Sequence, residues 1–524
     1  MMQQNVGGTE QGAGNRWLIL LTVSMGAIMG ALDSSIVSVA LPNITSAFGT
    51  NFEGIKWVSI GYMLANGSLM PMMGRIGDLF GRKRSYLFGF ATFVLGSALC
   101  GLSWSVPSLV AFRIIQAIGA SNMYPIALAI VNHAFPPTQR GQALGLYSSS
   151  SVAAVIFGPI VGGLLVDSLG WRSIFYVNLP IGVLAIFMAL LLIPEDSKRE
   201  SGEFDFVGAL VLAASMSFLL YGINQGSDLG WGSLPIFGCF WLAAFLLFTF
   251  GVIESLSARP LIPLSLFRGR NFTTVLGTNF MLLAAETGAT FLIPFFMGSV
   301  MGYGPTQRGL LMLPTAFGIM CTAPFGGKLA DQLGPKFPAF VGLAIAGAGT
   351  WGFASFNASS SVSDMIKPMY VAGLGVGLVM APMTSAALSS VPTEMSGVAS
   401  GILSLTRNIG GPLGLSVMTV VDSHRMAFHS ASLAQSVNVL SPTAVMTMDS
   451  LQARLSSMGL LPDQAKVAAI GILQGTIATD AFVMAFQDTF MIAAAIMWVG
   501  LLPVLLLQNE RQASRTRERG MAAV

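Results

Sequence analysis

Apolar runs of roughly 20 residues recur along almost the whole chain, and we count fourteen of them. A run of that length crosses ~30 Å of hydrocarbon when it forms an α-helix. Of the 524 residues, 53% are hydrophobic and only 9% are charged, too few charges for the surface of a water-soluble domain. The sequence therefore predicts an all-α membrane protein with 14 transmembrane helices, the first of which is not removed as a signal peptide.

Basic residues are distributed unequally between the two sides of these predicted helices. Seventeen Lys and Arg residues fall on one side, whereas the short loops on the other side hold only Lys56, Arg172, Arg308 and Lys367. Short cytoplasmic loops carry the excess of Lys and Arg in membrane proteins. Because an even number of spans places both termini on one side, both are predicted to be cytoplasmic. The net charge of +3 gives no reason to expect nucleic acid as a partner.

The second half of the chain repeats a pattern of the first half at a fixed spacing. A shift of 253 residues aligns one cluster of glycines and charges with another: Gly74, Asp78, Gly81 and Lys83 with Gly327, Asp331, Gly334 and Lys336. The same shift places Asp33 on Glu286. Two parallel halves with a substrate site between them near the midplane are a transporter architecture. We therefore expect a six-helix half at 1–200, two inserted helices at 201–259, and a second six-helix half at 260–524.

Four charged residues lie inside the predicted spans: Asp33, Arg113, Glu286 and Arg407. Each costs ~3 kcal/mol or more unless it is paired or hydrated. At a rise of about 1.5 Å per residue, Asp33 and Arg113 lie at similar depths on the first and fourth helices, so the sequence predicts that they pair. Glu286 and Arg407 both lie near the middle of their helices, which makes a second acid–base pair possible.

Two roles are open for these pairs. Burial of a carboxylate favours its protonated form, whereas a neighbouring guanidinium favours the ionised form. Displacement of the arginine, by movement or by a cationic substrate, would therefore switch proton occupancy and couple protons to substrate. Static neutralisation of one buried charge by another is the alternative. Gln116 adds hydrogen bonds near Arg113, either in a cavity or between helices.

Two glycine-containing segments are candidate conformational elements. In GRIGDLFGRKR at 74–84, glycines allow tight turns and close helix approach, and charges can bridge helix ends; the residues are Gly74, Gly77, Asp78, Gly81, Arg82 and Arg84. In FGPIVGG at 157–163, glycines make a flat face and the proline leaves one backbone carbonyl without its helical donor; the residues are Gly158, Pro159, Gly162 and Gly163. For the 74–84 segment, the alternative is a positive patch that only sets the membrane topology. For the 157–163 segment, the alternative is simple helix packing.

These segments resemble those of a known family. GRIGDLFGRKR is similar to the most specific signature of the major facilitator superfamily, and ALDSSIVSVALP at 31–42 is similar to the first-helix motif of its fourteen-helix drug:proton antiporter family. RIIQAIGA at 113–120, FGPIVGG, WRSIFYVNLPIG at 171–182 and SGVASGILSLTRNIGG at 396–411 extend the resemblance over nearly the whole chain. The resemblance implies a proton-driven multidrug exporter in the bacterial inner membrane. It also implies that GRIGDLFGRKR is a latch for one access state and that FGPIVGG is an antiporter motif.

Residues 422–479 are predicted to form an extracytoplasmic loop. Its apolar positions recur at roughly helical spacing with an interruption at Pro462, which predicts two short amphipathic helices on the outer surface. The loop resembles that of the EmrB-type exporters, which implies a periplasmic membrane-fusion adaptor and an outer-membrane channel as partners. A loop that only caps the outer mouth is the alternative.

The residues constrain substrate and function class less strongly. Thirty Met and 35 Phe suit adaptable binding of small hydrophobic or cationic drugs if enough of them line a cavity, although most such side chains in a bilayer face lipid or pack. The sequence has no metal-ligand spacing and no G-x-x-x-x-G-K-[ST] nucleotide motif. It therefore predicts no cofactor, no metal and no enzymatic activity. A proton-linked transporter of one metabolite or nutrient is the alternative function.

Overall fold

A computed structural model describes residues 7–50, 55–195, 205–257, 260–303, 305–392, 395–436 and 442–508. Every regular element in these ranges is a helix. The termini at 1–6 and 509–524 lie outside the described residues, as do the predicted boundaries near 200 and 259. The predicted side of each terminus is therefore not addressed by the structure.

The described part of the first half contains seven α-helices: α1 (Gly7–Phe48), α2 (Trp57–Phe80), α3 (Arg82–Gly101), α4 (Val106–Ala134), α5 (Arg140–Leu169), α6 (Ser173–Tyr176) and α7 (Asn178–Leu192). Two helices follow it: α8 (Phe206–Leu229) and α9 (Leu234–Leu256). The second half contains α10 (Arg270–Ser299), α11 (Pro305–Leu333), α12 (Lys336–Gly352), α13 (Val362–Ser389), α14 (Ser396–Ser436), α15 (Pro442–Ser457), α16 (Pro462–Val499) and α17 (Leu501–Leu505). Short 3₁₀ helices occupy Leu264–Arg268 and Phe353–Ser355.

Eleven helical segments in the described part of the chain are long and apolar enough to span a membrane. The short α6 and α7 together form one of them, and α16 with α17 forms another. Three further long helices, α2, α3 and α14, lie outside this set. Polar residues and glycines inside these helices, such as Asn66 and Ser68 in α2, lower their mean hydropathy. The total of 14 membrane spans therefore stays a prediction.

The internal repeat is visible in how the helices begin, end and pack. Gly81 after α2 and Gly334 after α11 both have positive φ, 96° and 88°, a backbone conformation that favours glycine. Ser105 and Ser361 cap α4 and α13 by accepting from the backbone N–H three residues on. The same sequence signals thus begin and end corresponding helices in the two halves.

The two helices between the halves differ in their contacts. α8 packs against α2 of the first half and α14 of the second, whereas α9 packs mainly on α8. In the last turn of α9, Glu254 accepts from the backbone N–H groups of Leu261 at 3.0 Å and Ile262 at 3.3 Å, which fixes the chain before α10. The inserted pair therefore lies beside the bundle and leaves the interface between the halves to α2, α4, α5, α11, α13 and α14.

Residues 422–479 are more continuous than a loop with two separate helices. α14 runs on without a break to Ser436, and α16 begins at Pro462 and continues into the final span. Among the described residues of this segment only α15 is a separate helix, so the prediction of two short surface helices is wrong. The stretch after Pro412 in α14 contains no residue that would stop a helix. Pro462 does interrupt the helical pattern, as predicted, because it occupies the first turn of α16.

Candidate functional site

A buried ion pair joins the first and fourth helices of the first half. Arg113 Nη1 of α4 donates to Asp33 Oδ2 of α1 over 2.6 Å, and each residue is only 1% exposed. The pairing predicted from their depths is thus confirmed. The guanidinium carbon lies 3.9 Å from the centre of the Tyr62 ring, so an aromatic face adds to its stabilisation.

Side-chain amides hold the other oxygen of Asp33. Gln116 Nε2 donates to Asp33 Oδ1 over 2.8 Å, and Asn178 Nδ2 donates to the same oxygen over 3.1 Å. Both amides also donate to Ser97 Oγ, at 3.2 and 3.0 Å. Gln116 Oε1 accepts from Arg113 over 2.7 Å. Three helices, α1, α4 and α7, therefore meet at one carboxylate, and α3 joins the network through Ser97.

Sequence reasoning missed two members of this network. Asn178 and Ser97 lie at 0% exposure, and neither was a candidate site residue. Asn178 is the first residue of α7, within the WRSIFYVNLPIG segment, and an asparagine there was a signal that some buried polar group required a partner. Ser97 gave no comparable signal, because a serine in a membrane helix usually bonds its own backbone.

A cavity of about 210 Å³ lies beside the Asp33 network. Tyr62 lines this cavity, and its ring also lies over Arg113, so the ring separates the ion pair from the cavity. On α1, a Cβ added at Gly30 would meet open space. Aromatic, methionine and small residues from α1, α2, α4 and α5 form the wall: Gly26, Ala27, Gly30, Ala31, Ser34, Tyr62, Asn66, Met70, Ala120, Met123, Tyr124, Tyr147 and Ser151.

Glu286, the counterpart of Asp33, has a different environment. Its Oε1 accepts from Thr290 Oγ1 over 3.2 Å. A small separate cavity inside the second half is lined by Glu286 together with hydroxyl and apolar side chains: Ala289, Thr290, Ile293, Thr315, Thr350, Phe353, Ala372, Val376 and Met497. Glu286 therefore faces the interior of its own half and not the cavity beside Tyr62.

Arg407 does not pair with Glu286, so the second acid–base pair that the sequence left possible does not form in this structure. Its Nη1 donates to Tyr124 Oη across the boundary between the halves, and its Nη2 donates to Thr384 Oγ1 over 3.4 Å. The repeat explains why Glu286 has no cation. Gly349 packs against Ala372 in the second half, just as Gly96 packs against Gln116 in the first half. Ala372 on α13 therefore corresponds to Gln116 on α4. Three residues earlier on each helix, uncharged Met369 corresponds to Arg113.

The segment at 74–84 fastens α2 to the beginning of α14. Asp78 accepts from the backbone N–H groups of Gly397 at 3.2 Å and Val398 at 3.0 Å. Free N–H groups and the dipole make a helix N-terminus favourable for a carboxylate. Arg82 Nη2 lies 3.7 Å from Asp78 Oδ1 and donates to Ser396 Oγ over 3.2 Å. This charged cluster therefore bridges the two halves.

The repeat places a second bridge of the same kind at α11 and α5. Asp331 accepts from the backbone N–H groups of Gly141 at 2.8 Å and Gln142 at 3.1 Å. The backbones also approach closely, because a Cβ at Gly327 would overlap the Gly141 carbonyl. We name the end of the bundle that contains both bridges the basic end, since Lys83 and Lys336 begin helices there. The two halves are closed against each other at the basic end.

Three residues of the 74–84 segment have different local roles. Gly77 makes room for Ile126 of α4, and Gly81 supplies the positive φ that ends α2. Arg84 lies exposed. Arg84 is thus not buried with Asp78 and Arg82, and the bridging role expected for it stays a prediction.

The FGPIVGG segment packs α5 against α1 close to Asp33. Pro159 has no N–H, so the Val155 carbonyl four residues earlier accepts instead from Ser35 Oγ of α1 over 3.0 Å. A Cβ at Gly158 would overlap Ser35, and one at Gly162 would crowd Ile36. Gly163 faces open space. The opened carbonyl and the flat face predicted for this segment therefore serve close helix packing.

Sequence similarity identifies the family to which the chain belongs. Residues 23–415 match the Major Facilitator Superfamily, which is three-quarters of the chain. The chain belongs to the Major Facilitator Superfamily. It is 34% identical over 417 residues to the tetracenomycin C resistance and export protein of Streptomyces glaucescens, covering 79% of this chain and 77% of that protein. It is also 34% identical over 402 residues to multidrug resistance protein Stp of Mycobacterium tuberculosis, covering 76% and 75%.

A solved structure supports the fold at much lower identity. The human organic anion transporter MFSD10 superposes with a TM-score of 0.60, covering 94% of this chain and 99% of that one, at 15% sequence identity. Identity at this level shows the fold alone. The predicted major facilitator fold is therefore confirmed, and so is a multi-pass membrane protein.

Proposed function

We propose that this protein is a proton-coupled multidrug exporter of the fourteen-helix drug:proton antiporter type. It moves hydrophobic or amphipathic compounds out of the cell by alternating access. The names of its relatives, which record drug resistance and export, support the substrate class. The observation that carries proton coupling is the Asp33–Arg113 pair, which is 1% exposed and adjoins the aromatic cavity. Membership in a family of transporters supports transport as the activity.

The hydrogen bonds of Asp33 explain how a proton would change the helix packing. The ionised carboxylate accepts from three donors, on Arg113, Gln116 and Asn178. Protonation turns one acceptor into a donor that points at another donor. The network must then rearrange, which loosens α1 from α4 and α7. Tyr62 contacts both the pair and the cavity, so substrate and proton occupancy affect the same side chain.

Transport into inside-out membrane vesicles with an acidic lumen tests this function. We expect an exporter to accumulate drug in the lumen while protons leave it, so added drug should speed the decay of the pH gradient. The panel should hold cationic, neutral and anionic compounds. Transport that needs no gradient would indicate a uniporter. Drug movement in the same direction as protons would indicate a symporter, the kind of transporter expected for one metabolite or nutrient.

The proposal includes a location and a partner. The protein lies in the bacterial inner membrane with both termini in the cytoplasm, so the basic end faces the cytoplasm and α14–α16 project outward. At 1.5 Å per residue, the 41 residues of α14 measure about 60 Å, twice the hydrocarbon thickness. Arg425 and His429 of α14 each lie 2.6 Å from Asp488 of α16 and tie the two helices together. This helical extension is the docking surface for a periplasmic membrane-fusion adaptor that leads to an outer-membrane channel.

Removal of residues 435–475 tests the partner. We expect vesicle transport to stay close to wild type, because the deletion spares the Asp33 network and both bridges at the basic end. Cellular drug resistance should disappear, because the adaptor loses its docking surface. A milder variant, Val467→Ser with Ile472→Ser, changes two exposed apolar side chains and keeps the helices. Unchanged resistance in the deletion variant would favour a segment that only caps the outer mouth.

A further inference from the structure

Arg407 carries a charge that no described carboxylate balances. Among the residues that the structure describes, its Nη atoms donate only to hydroxyl groups, on Tyr124 and Thr384, and its buried Nε has no partner. No Asp or Glu within the described ranges forms an ion pair with it. An unpaired guanidinium is costly inside a membrane, so such residues usually mark a pathway for a charged ligand.

Two tyrosines connect this charge to the cavity beside Tyr62. Tyr124 lines the cavity and its hydroxyl accepts from Arg407, so the hydroxyl hydrogen is free to point into the cavity. Tyr147 also lines the cavity and is 1% exposed, and no described residue forms a hydrogen bond with its hydroxyl. The two ring centres lie 5.8 Å apart. Two tyrosines that line one cavity thus each keep a hydroxyl hydrogen to donate, and one of the two hydroxyls is bonded to a positive charge.

The carboxylates near this cavity do not balance Arg407. Asp33 is already paired with Arg113, and the Tyr62 ring separates both from the cavity. Glu286 lies in its own small cavity with Thr290. The space beside the tyrosines is therefore positively charged overall, which disfavours the cationic drugs expected from the sequence.

We propose that Tyr124, Tyr147 and Arg407 form a subsite for an acidic oxygen, and that the protein takes aromatic compounds bearing a carboxylate or an ionised phenol. The tyrosine hydroxyls donate to the oxygen, and Arg407 supplies the counter-charge through Tyr124. Hydrogen bonds to a charged acceptor are stronger than those between neutral groups. The aromatic rings and the flat wall at Gly30 receive the planar part of the molecule. This inference rests on the proposed function and specifies its substrate.

Three probes that share a naphthalene ring and carry a negative, a neutral or a positive substituent test the subsite: naphthalene-2-carboxylate, its methyl ester, and naphthalen-2-ylmethyl trimethylammonium. Binding is measured by calorimetry on the purified full-length protein in nanodiscs, without a proton gradient. We expect the carboxylate to bind about tenfold more tightly than the ester, equivalent to about 1.4 kcal/mol, and the ammonium probe to bind most weakly. Arg407→Gln and Tyr147→Phe should each remove this preference and leave ester binding nearly unchanged.

Two controls separate recognition from folding. Arg407→Lys keeps the charge and should keep part of the acid preference, and Tyr370→Phe, a tyrosine that stacks on Phe317 away from the cavity, should keep all of it. Equal losses of acid and ester binding in Arg407→Gln would overturn the proposal, as would a wild type that binds the ammonium probe best. Failure of the proposed function is distinguishable, because it would appear as absent gradient-driven export of the uncharged dye Nile red by the wild type.

Discussion

Replacement of Asp33 by Asn is expected to abolish gradient-driven export. Asparagine cannot titrate, so no proton can be exchanged for substrate at this position. It also offers one acceptor oxygen where the carboxylate offers two, and three donors converge there. In inside-out vesicles with an acidic lumen, Nile red accumulation should fall to the level of vesicles that lack the protein. Asp33→Glu keeps the carboxylate, adds one methylene and should retain part of the transport.

A double variant distinguishes coupling from stability. Asp33→Asn leaves Arg113 as a buried charge without its partner, which costs about 3–5 kcal/mol in typical proteins. Asp33→Asn with Arg113→Gln removes both charges, so thermal stability should recover while export should not. Recovery of both stability and export would instead show that the two charges only neutralise each other. Asp463→Asn, a change at an exposed acid near the start of α16, is the matched control and should affect neither.

The pH dependence of binding gives an independent measurement. Nile red carries no titrating group near neutral pH, so a pH-dependent affinity reports groups on the protein. We expect the wild type to show such a dependence and the Asn variant to lose it. A stably folded Asn variant that exports Nile red at the wild-type rate with unchanged pH dependence would exclude coupling at Asp33. The role would then pass to Glu286.

Depth along a helix predicted the Asp33–Arg113 pair but not the environment of Glu286. Depth fixes only one coordinate, and two residues at the same level can still face different sides of their helices. Arg407 faces Tyr124 across the boundary between the halves, whereas Glu286 faces the interior of the second half. The repeat contained a signal against the second pair, since α13 carries Met369 where α4 carries Arg113.

The bridges at the basic end were predictable because they depend on local chemistry. Glycines, an aspartate and a helix start recur at matching positions, and the backbone N–H groups at a helix start attract a carboxylate whatever side chains surround it. Tyr62 and Asn178 were not predictable in the same way. Their importance comes from contacts between helices far apart in the chain, with Arg113 at 3.9 Å and Asp33 at 3.1 Å.

Gly327→Ala is expected to open the basic end of the bundle and stop transport. The added Cβ would overlap the Gly141 carbonyl, and neither backbone has a side chain that can move aside. Overpacking of this kind costs about 1–3 kcal/mol, which shifts a two-state equilibrium by about 5–150-fold. The conformation closed at the basic end should lose population to one open there. Turnover should therefore fall more than substrate affinity.

Spin labels at Thr138 and Gln332 report this opening directly. Both side chains are exposed at the basic end, one in each half, and Cys100, Cys239 and Cys321 are first replaced by Ser. Double electron–electron resonance should show a longer distance between the two labels in Gly327→Ala than in the labelled protein that keeps Gly327.

Gly309→Ala makes the same change on the same helix, where the added Cβ meets open space, and should leave both the distance and the transport unaltered. Because alanine favours helix formation equally at both positions, any difference between the two variants comes from contact with α5. A Gly327→Ala protein with the original distance distribution would show that the close approach to Gly141 is packing alone. The closed basic end would then depend on Asp78 and Asp331 at the helix N-termini, and not on the fit of the backbones.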